Sequence, residues 1–203
     1  MLLVALTGGI GTGKSSVASA LVQRGAALVD ADAVVKELQA PGEAVYVAMV
    51  ERWGEPIVAA DGQLDRQAIA NIVFNDKDEL TELNAIVHPA VRKEMERQVD
   101  SYRDSNQVVI LDIPLLGEGD AEKRGAAAVI VVDCPPEFAI ERLIEHRGFD
   151  RADAQARIAA QATREERLAL ADFVVDNSGD QVQLDAEVSR CWNWLQSMAR
   201  WVE

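Results

Sequence analysis

The sequence has little positive charge, and this limits the partners that it can bind. Its 203 residues include 20 Lys and Arg against 34 Asp and Glu, which gives a net charge of −14. A protein that holds nucleic acid needs clustered cations facing the phosphates. The chain contains no basic run, so we expect no nucleic-acid partner.

Cysteines and long apolar runs are also scarce. The two cysteines, Cys134 and Cys191, form no C-x-x-C pair and no metal-ligand spacing, so we predict reduced thiols that act as small apolar residues. The apolar residues 1–7 are too short to span a membrane and carry no basic flank. They therefore predict a buried strand rather than a signal peptide. We expect a cytoplasmic protein that is not bound to a membrane, and a monomer or weak homo-oligomer.

Apolar runs and helical patterns alternate along the chain. Buried strands are predicted at residues 2–7, 26–30, 108–113, 126–132 and 173–176. Helices are predicted at residues 15–24, 137–146 and 181–201, and helical patterns fill residues 33–105, interrupted at Pro41-Gly42, Gly54, Asp61-Gly62 and His88-Pro89. Residues 147–167 form a polar, arginine-rich stretch. This alternation favours a parallel sheet covered by helices, with ligands bound beyond the carboxyl ends of its strands.

A glycine-rich segment between the first strand and the first helix predicts a phosphate-binding loop. It reads G-G-I-G-T-G-K-S and fits G-x-x-x-x-G-K-[ST], in which backbone amides and a helix N-terminus cradle phosphates. Lys14 would reach the β- and γ-phosphates of ATP, and the Ser15 hydroxyl would ligate Mg²⁺. A chance glycine turn is the alternative, but the strand-to-helix context favours the loop. The predicted ATP-binding residues here are Gly8, Gly9, Ile10, Gly11, Thr12, Gly13, Lys14, Ser15 and Ser16.

Carboxylates at strand ends separate a kinase from other proteins with this loop. A kinase needs a group that orients and deprotonates the acceptor hydroxyl. Asp32 is the favoured base, and strand alternation would place Asp30 on the same side; capping of the next helix is the alternative for either residue. Asp112 ends the third strand and would hold Mg²⁺ through water, or simply cap a turn.

Six arginines between residues 142 and 167 supply the cations that ATP needs. Such a segment can close over ATP and neutralise charge on the transferred phosphoryl group. Alternatively, the arginines form ion pairs with interleaved acidic residues on a solvated helix face. Arg142 stands apart because it follows the fourth strand. The six are Arg142, Arg147, Arg151, Arg157, Arg164 and Arg167.

Six segments together resemble the dephospho-coenzyme A kinase family over about residues 2–190. They are residues 6–15, 29–32, 83–89, 112–116, 161–167 and 171–179, with the sequences LTGGIGTGKS, VDAD, LNAIVHP, DIPLL, QATREER and ADFVVDNSG. The first is shared by all proteins with this phosphate loop, whereas the joint order and spacing of the others is more specific. One departure is that Gly117 and Gly119 flank Glu118, where the family has a bulky residue before the glutamate.

The resemblance implies a three-layer α/β P-loop fold. It would have a five-stranded parallel sheet, a helical substrate-binding insertion and a lid. The core would comprise residues 1–32, 106–146 and 170–203, the helical acceptor-binding part residues 33–105, and the lid residues 147–169.

The resemblance also implies the reaction and the site. ATP with Mg²⁺ would phosphorylate the ribose 3′-hydroxyl of dephospho-coenzyme A, with Asp32 as base and Arg142 at the lid hinge. The remaining site residues that it implies are Asn177, Ser178 and Gly179 around adenine, and His88, Pro89, Leu115 and Leu116 around the acceptor. A kinase of a nucleoside monophosphate or sugar acid would share the loop and fold. A regulatory GTPase would need N-K-x-D, which the chain lacks.

Overall fold

Five strands form one sheet in the computed structural model, which describes residues 1–113 and 125–199. The strand order is β2-β3-β1-β4-β5. β1 pairs in parallel with both β3 and β4, and β4 pairs in parallel with β5. The strands are β1 (Leu2–Gly8), β2 (Ala27–Asp30), β3 (Val108–Asp112), β4 (Ala128–Asp133) and β5 (Phe173–Asp176). This confirms the predicted α/β fold with a five-stranded parallel sheet.

Helices account for most of the remaining described residues. They are α1 (Lys14–Gln23), α2 (Ala31–Leu38), α3 (Ala44–Trp53), α4 (Arg66–Val73), α5 (Lys77–Asp100), α6 (Pro136–Arg147), α7 (Arg151–Ala159), α8 (Arg164–Ala169) and α9 (Gln181–Ala199). A short 3₁₀ helix covers Glu55–Ile57. Among the described residues, no helix has the length and hydropathy needed to cross a membrane.

The central strand β1 is buried at every residue, because helices cover both faces of the sheet. Its sequence is a continuous apolar run, as expected of a strand with no solvent-facing side. Val17 and Leu21 of α1 pack against it in the main core, together with Val188 and Leu195 of α9. The core therefore fixes the carboxyl end of β1, from which the glycine-rich loop begins.

The chain divides into two compact units, Met1–Val29 with Ser101–Glu203, and Asp30–Asp100. The first contains nearly all of the sheet. The second is helical and has its own small core around Val45, Met49 and Ile57, where α5 packs against α2, α3 and α4. The roles expected for residues 33–105 and 147–169 stay predictions at this point.

One local expectation is wrong. His88-Pro89 does not interrupt the helical pattern, because α5 continues through Pro89. Proline removes one helical hydrogen bond, but neighbouring apolar residues of α5, such as Ile86 and Ala90, pack on the core of the helical unit. The arginine-rich stretch of residues 147–167 contains α7 and the first residues of α8.

Candidate active site

The glycine-rich loop between β1 and α1 is held by its own hydrogen bonds. Buried Thr12 donates its hydroxyl to the carbonyl of Gly9 at 2.9 Å, and its amide donates to the same carbonyl at 3.2 Å. The amide of Ser16 donates to the carbonyl of Gly13 at 3.0 Å. These bonds fold the predicted ATP-binding residues into a compact turn at the start of α1.

Asn177, which follows β5, braces the loop from the other end of the chain. Its side-chain amide donates to the carbonyl of Thr12 at 2.8 Å, and its side chain is buried. Gly13 has φ of 87°, and a Cβ built on it would lie 2.2 Å from Nδ2 of Asn177. Only glycine therefore fits at this position.

Arg142 of α6 joins the same contact network. Its guanidinium donates to the carbonyl of Asn177 at 2.7 Å and to the carbonyl of Thr12 at 3.4 Å. Both acceptors are neutral, so the positive charge of Arg142 remains beside the loop. Of the residues predicted to border adenine, Asn177 contacts the loop, while Ser178 is half-buried and Gly179 is exposed.

Lys14 lies at the start of α1 and pairs with Asp112, the last residue of β3. Asp112 is only 3% exposed. Leu6 of β1 is the register partner of Asp112, so the parallel pairing of the two strands brings this carboxylate to the loop. The two residues that sequence reasoning assigned to phosphate and metal are in direct contact here.

The donors near the loop suit Mg²⁺. Ser15 is exposed on the first turn of α1, and Mg²⁺ prefers hydroxyl, carboxylate, phosphate and water oxygens. The described residues contain no cluster of three or more His, Cys, Asp or Glu side chains that could hold a metal alone. A Mg²⁺ that arrives with a nucleotide takes most of its ligands from phosphate and water, so one hydroxyl and one nearby carboxylate fit that ion.

The arginines of residues 142–167 have different surroundings: some contact other surface side chains, and one binds a carboxylate at the end of a strand. Arg151 pairs on the surface with Glu141, and Arg157 lies over the ring of Phe149 at 4.5 Å. Arg164 instead binds Asp133 at the end of β4, with contacts of 2.7 and 3.0 Å. These hydrogen bonds raise the pKa of Arg164 above its ordinary value.

A capping box fixes the start of α8, which carries Arg164 and Arg167. The Glu166 amide donates to the hydroxyl of Thr163 at 3.1 Å, and the Thr163 amide donates back to the Glu166 carboxylate at 2.7 Å. The hydrogen bond from the Thr163 amide to the Glu166 carboxylate, together with one from the Thr163 hydroxyl at 3.0 Å, lowers the pKa of Glu166. The T-x-x-E spacing is a known helix-start signal, so the sequence contained enough information to predict α8.

Asp30 and Asp32 have separate positions in the structure. β2 ends at Asp30 and α2 starts at Ala31, so the expected strand alternation does not reach Asp32. Asp30 caps α2, since its carboxylate accepts from the amides of Asp32 and Ala33 at 2.8 and 3.1 Å. Asp32 is exposed in the first turn of α2, where the capping role is already filled by Asp30.

A cavity of about 480 Å³ lies within the helical unit, and Asp32 is part of its wall. Its wall is largely apolar but carries two cations, Lys36 and Arg66. Phe74 is 81% exposed at this cavity, an unusual position for a large apolar ring. The other lining residues are Val35, Gln39, Met49, Ile69, Ala70, Val73 and Leu83.

Two of the other predicted acceptor residues, His88 and Pro89, do not line this cavity. His88 and Pro89 are exposed on α5 and are absent from its wall. Leu115 and Leu116 lie outside the described residues, as do Gly117, Glu118 and Gly119. Sequence reasoning missed Arg66 and Phe74, because a helical pattern does not indicate which of its exposed residues face a cavity.

A family model described as dephospho-CoA kinase matches residues 2–183. The chain belongs to this family. A dephospho-CoA kinase of Streptomyces avermitilis is 47% identical over 196 residues, which cover 95% of this chain and 93% of that protein. A dephospho-CoA kinase of Thermobifida fusca is 42% identical over 196 residues, which cover 97% of this chain and 97% of that protein.

Solved structures support the same fold. The TT1252 protein of Thermus thermophilus is 30% identical and covers 97% of this chain with a TM-score of 0.81. A dephospho-CoA kinase from Campylobacter jejuni is 24% identical, covers 99% of this chain and has a TM-score of 0.71. A shikimate kinase from Bacteroides thetaiotaomicron, 15% identical, covers 96% with a TM-score of 0.53. At the last two identities the likeness concerns the fold alone.

Proposed function

We propose that this chain transfers the γ-phosphoryl group of ATP to the ribose 3′-hydroxyl of dephospho-coenzyme A. The products are coenzyme A and ADP, and the reaction is the last step of coenzyme A biosynthesis. The family match over residues 2–183 carries this proposal. The nucleotide loop supports ATP as the donor, and the cavity of the helical unit supports dephospho-coenzyme A as the acceptor.

The loop of residues 8–16 suits the phosphates of ATP. The N-terminus of α1 follows directly after Gly13, so the helix dipole and free amides face the incoming anion. Lys14 and Arg142 add two cations. Ser15 and Asp112 would hold Mg²⁺, which would neutralise phosphate charge.

The cavity of the helical unit suits the acceptor. Dephospho-coenzyme A combines a nucleotide, an anionic diphosphate and a long, largely neutral arm. Arg66 and Lys36 are available for the diphosphate, the apolar wall for the arm, and Phe74 for stacking. Asp32 on the same wall is available to receive a hydroxyl proton.

The transfer exchanges one P–O bond for another. The acceptor 3′-oxygen bonds to the γ-phosphorus, and the bond from that phosphorus to the β–γ bridging oxygen breaks. The hydroxyl proton goes to Asp32, and ADP leaves with the bonding electron pair. Lys14 and Arg142 stabilise charge on the transferring group and the leaving oxygen.

The site of action and the assembly state complete the proposal. We place the enzyme in the cytoplasm, as a monomer or weak homo-oligomer. Fractionation of cells and light scattering of the purified protein test these two statements separately.

A substrate panel tests the reaction. Purified protein with ATP and Mg²⁺ is offered dephospho-coenzyme A, AMP, adenosine, gluconate and shikimate, and ADP release is followed. Because binding of the remote arm contributes to orientation, we expect kcat/KM for dephospho-coenzyme A to be at least about tenfold above the others. NMR of the product should place the new phosphate at the 3′ position. Equal or faster turnover of any other acceptor assigns the enzyme to that acceptor instead.

A further inference from the structure

Asp133 is a buried carboxylate at the end of β4 that takes no part in the proposed transfer. The residue is only 6% exposed, and a buried carboxylate is costly unless it is paired and hydrogen-bonded. Nε of Arg164 lies 3.0 Å from both oxygens of this carboxylate, and Nη2 lies 2.7 Å from one of them. Such paired contacts hold a guanidinium and a carboxylate in one orientation, so the first residue of α8 is fixed to the end of β4.

The backbone of Asp133 anchors a second segment of the chain. Asp133 is the register partner of Asp176, the last residue of β5, and its carbonyl accepts from the amide of Asn177 at 2.8 Å. Asn177 is the residue whose side chain donates to the carbonyl of Thr12 in the phosphate loop. The main chain of Asp133 therefore fixes the residue that braces the loop at Thr12.

The segment just before α8 contacts the same loop at an earlier residue. The side-chain oxygen of Gln161 accepts from the amide of Ile10 at 2.9 Å. Only two residues separate Gln161 from Arg164, and the capping box at Thr163 fixes the backbone that joins them. The position of Gln161 on the loop therefore depends on the pairing of Arg164 with Asp133.

We propose that Asp133 is a positioning residue for phosphoryl transfer, because it anchors two braces of the phosphate loop at once. Its carboxylate holds the segment that contacts Ile10, and its carbonyl holds the residue that contacts Thr12. Asp133 acts through Arg164 and Asn177 and touches neither the nucleotide nor the acceptor. Misplacement of reacting groups by about 1 Å can cost about 10²-fold in rate, so a shared anchor of the loop matters for the reaction. The inference rests on the proposed function only in requiring ATP as the phosphoryl donor.

Nucleotide binding without any acceptor tests the proposal. Dissociation constants for ATP with Mg²⁺ are measured by calorimetry for the wild type, Asp133→Asn, Arg164→Gln and the variant with both substitutions. Removal of a negative charge by itself would strengthen the binding of an anion, whereas loss of the anchor weakens it. We expect Asp133→Asn to bind ATP about tenfold more weakly, as loss of a hydrogen bond to a charged group does. Arg151→Ala, which breaks a surface ion pair of α7, is the matched control and should stay within about threefold of wild type.

The double variant separates positioning from a direct contact with the nucleotide. If Arg164 acts only as the partner of Asp133, the double variant should bind ATP no more weakly than either single variant, because the pair is already broken. Arg164→Lys keeps a cation for the carboxylate and should recover part of the affinity that Arg164→Gln loses. Wild-type or tighter binding of ATP by Asp133→Asn, or losses that add in the double variant, overturns the proposal.

A neutral substitution tests the brace that this pair holds. Gln161→Ala removes the contact with the amide of Ile10 and changes no charge. It should weaken ATP binding by about the same factor as Asp133→Asn, and it tests the proposal even where Asp133→Asn does not fold. Wild-type ATP affinity of Gln161→Ala overturns the proposal.

Turnover provides the second readout. With the best acceptor of the substrate panel, Asp133→Asn should raise KM for ATP about tenfold and leave KM for the acceptor unchanged. A purely structural role would instead lower kcat in proportion to the folded fraction, measured by thermal unfolding, with both KM values unchanged; that result overturns the proposal. The binding arm needs no acceptor, so it remains decisive even where the panel assigns an acceptor other than dephospho-coenzyme A.

Discussion

The ammonium group of Lys14 and the carboxylate of Asp112 form an ion pair where α1 begins and β3 ends. Both side chains are largely buried, at 16% and 4% exposure. An incoming phosphate chain offers Lys14 another anionic partner, and a metal ion offers Asp112 another cationic partner. We therefore expect this pair to be rearranged when Mg²⁺ and ATP bind.

Replacement of Lys14 by alanine should cut turnover by about 10²-fold or more while the fold persists, since it removes a charge from the transferring group. Steady-state kinetics and thermal unfolding measure the two effects. Lys77→Ala, at the exposed start of α5, is the matched control and should be unaffected. Near-normal turnover of a folded Lys14→Ala protein would contradict the role given to the loop.

Replacement of Asp112 by asparagine should raise the Mg²⁺ concentration needed for half-maximal turnover, because an amide is a poorer ligand for Mg²⁺ than a carboxylate. A titration of activity with Mg²⁺ at saturating ATP measures this. An unchanged titration midpoint would contradict a metal-binding role for Asp112.

Replacement of Asp32 by asparagine should lower turnover about 10²-fold, because the amide cannot accept the acceptor's proton. Affinity for ATP should change little. Asp30→Asn is the matched control: asparagine caps helices as well as aspartate, so that variant should keep its stability and its rate. Near wild-type turnover of Asp32→Asn, or a loss confined to ATP affinity, would refute the assignment of the base.

Replacement of Arg66 by alanine should raise KM for dephospho-coenzyme A about tenfold, as expected for a charged contact to a phosphate, and leave KM for ATP unchanged. Arg97→Ala provides the comparison, because Arg97 pairs with Glu94 on the surface of α5. Equal effects of the two substitutions on KM would contradict the proposal that the cavity of the helical unit binds the acceptor.

Both thiols should be inert in the folded protein. Burial raises the pKa of Cys191 to about 12 and also raises that of Cys134, so neither forms the reactive thiolate near neutral pH. A chromogenic disulfide reagent at pH 8 should therefore react with neither, and with both once denaturant is added. Rapid labelling of the native protein would show that one of the two sites opens.

The strands and the phosphate loop could be predicted from sequence because their signals are local. β5 was predicted with the bounds Phe173–Asp176 that the structure shows. A continuous apolar run of this length, such as β1, is typical of a strand that is buried on both faces of a sheet. The loop is indicated by its spacing of glycines, Lys14 and Ser15, which needs no knowledge of the remaining chain.

Contacts between distant residues could not be predicted in this way. The hydrogen bond of Gln161 to Ile10 and the position of Arg167 against Gly9 depend on how α8 packs. Pairing of Arg164 with Asp133 likewise depends on tertiary structure. Six arginines that look equivalent in sequence therefore separate only when their neighbours are known. The same holds for Arg66 and Phe74, whose position at a cavity follows from the packing of separate helices.

The hydrogen bond of Asn177 to Thr12 joins residues 165 positions apart, which has a consequence for synthesis on the ribosome. The glycine-rich loop is made among the first residues, but its brace emerges only with β5. At translation rates of about 5–20 residues per second, the loop waits roughly 10–30 seconds for that brace. β1 also waits for β4, its partner on the other side. The loop therefore reaches its braced geometry only after β5 has been synthesised, near the end of translation.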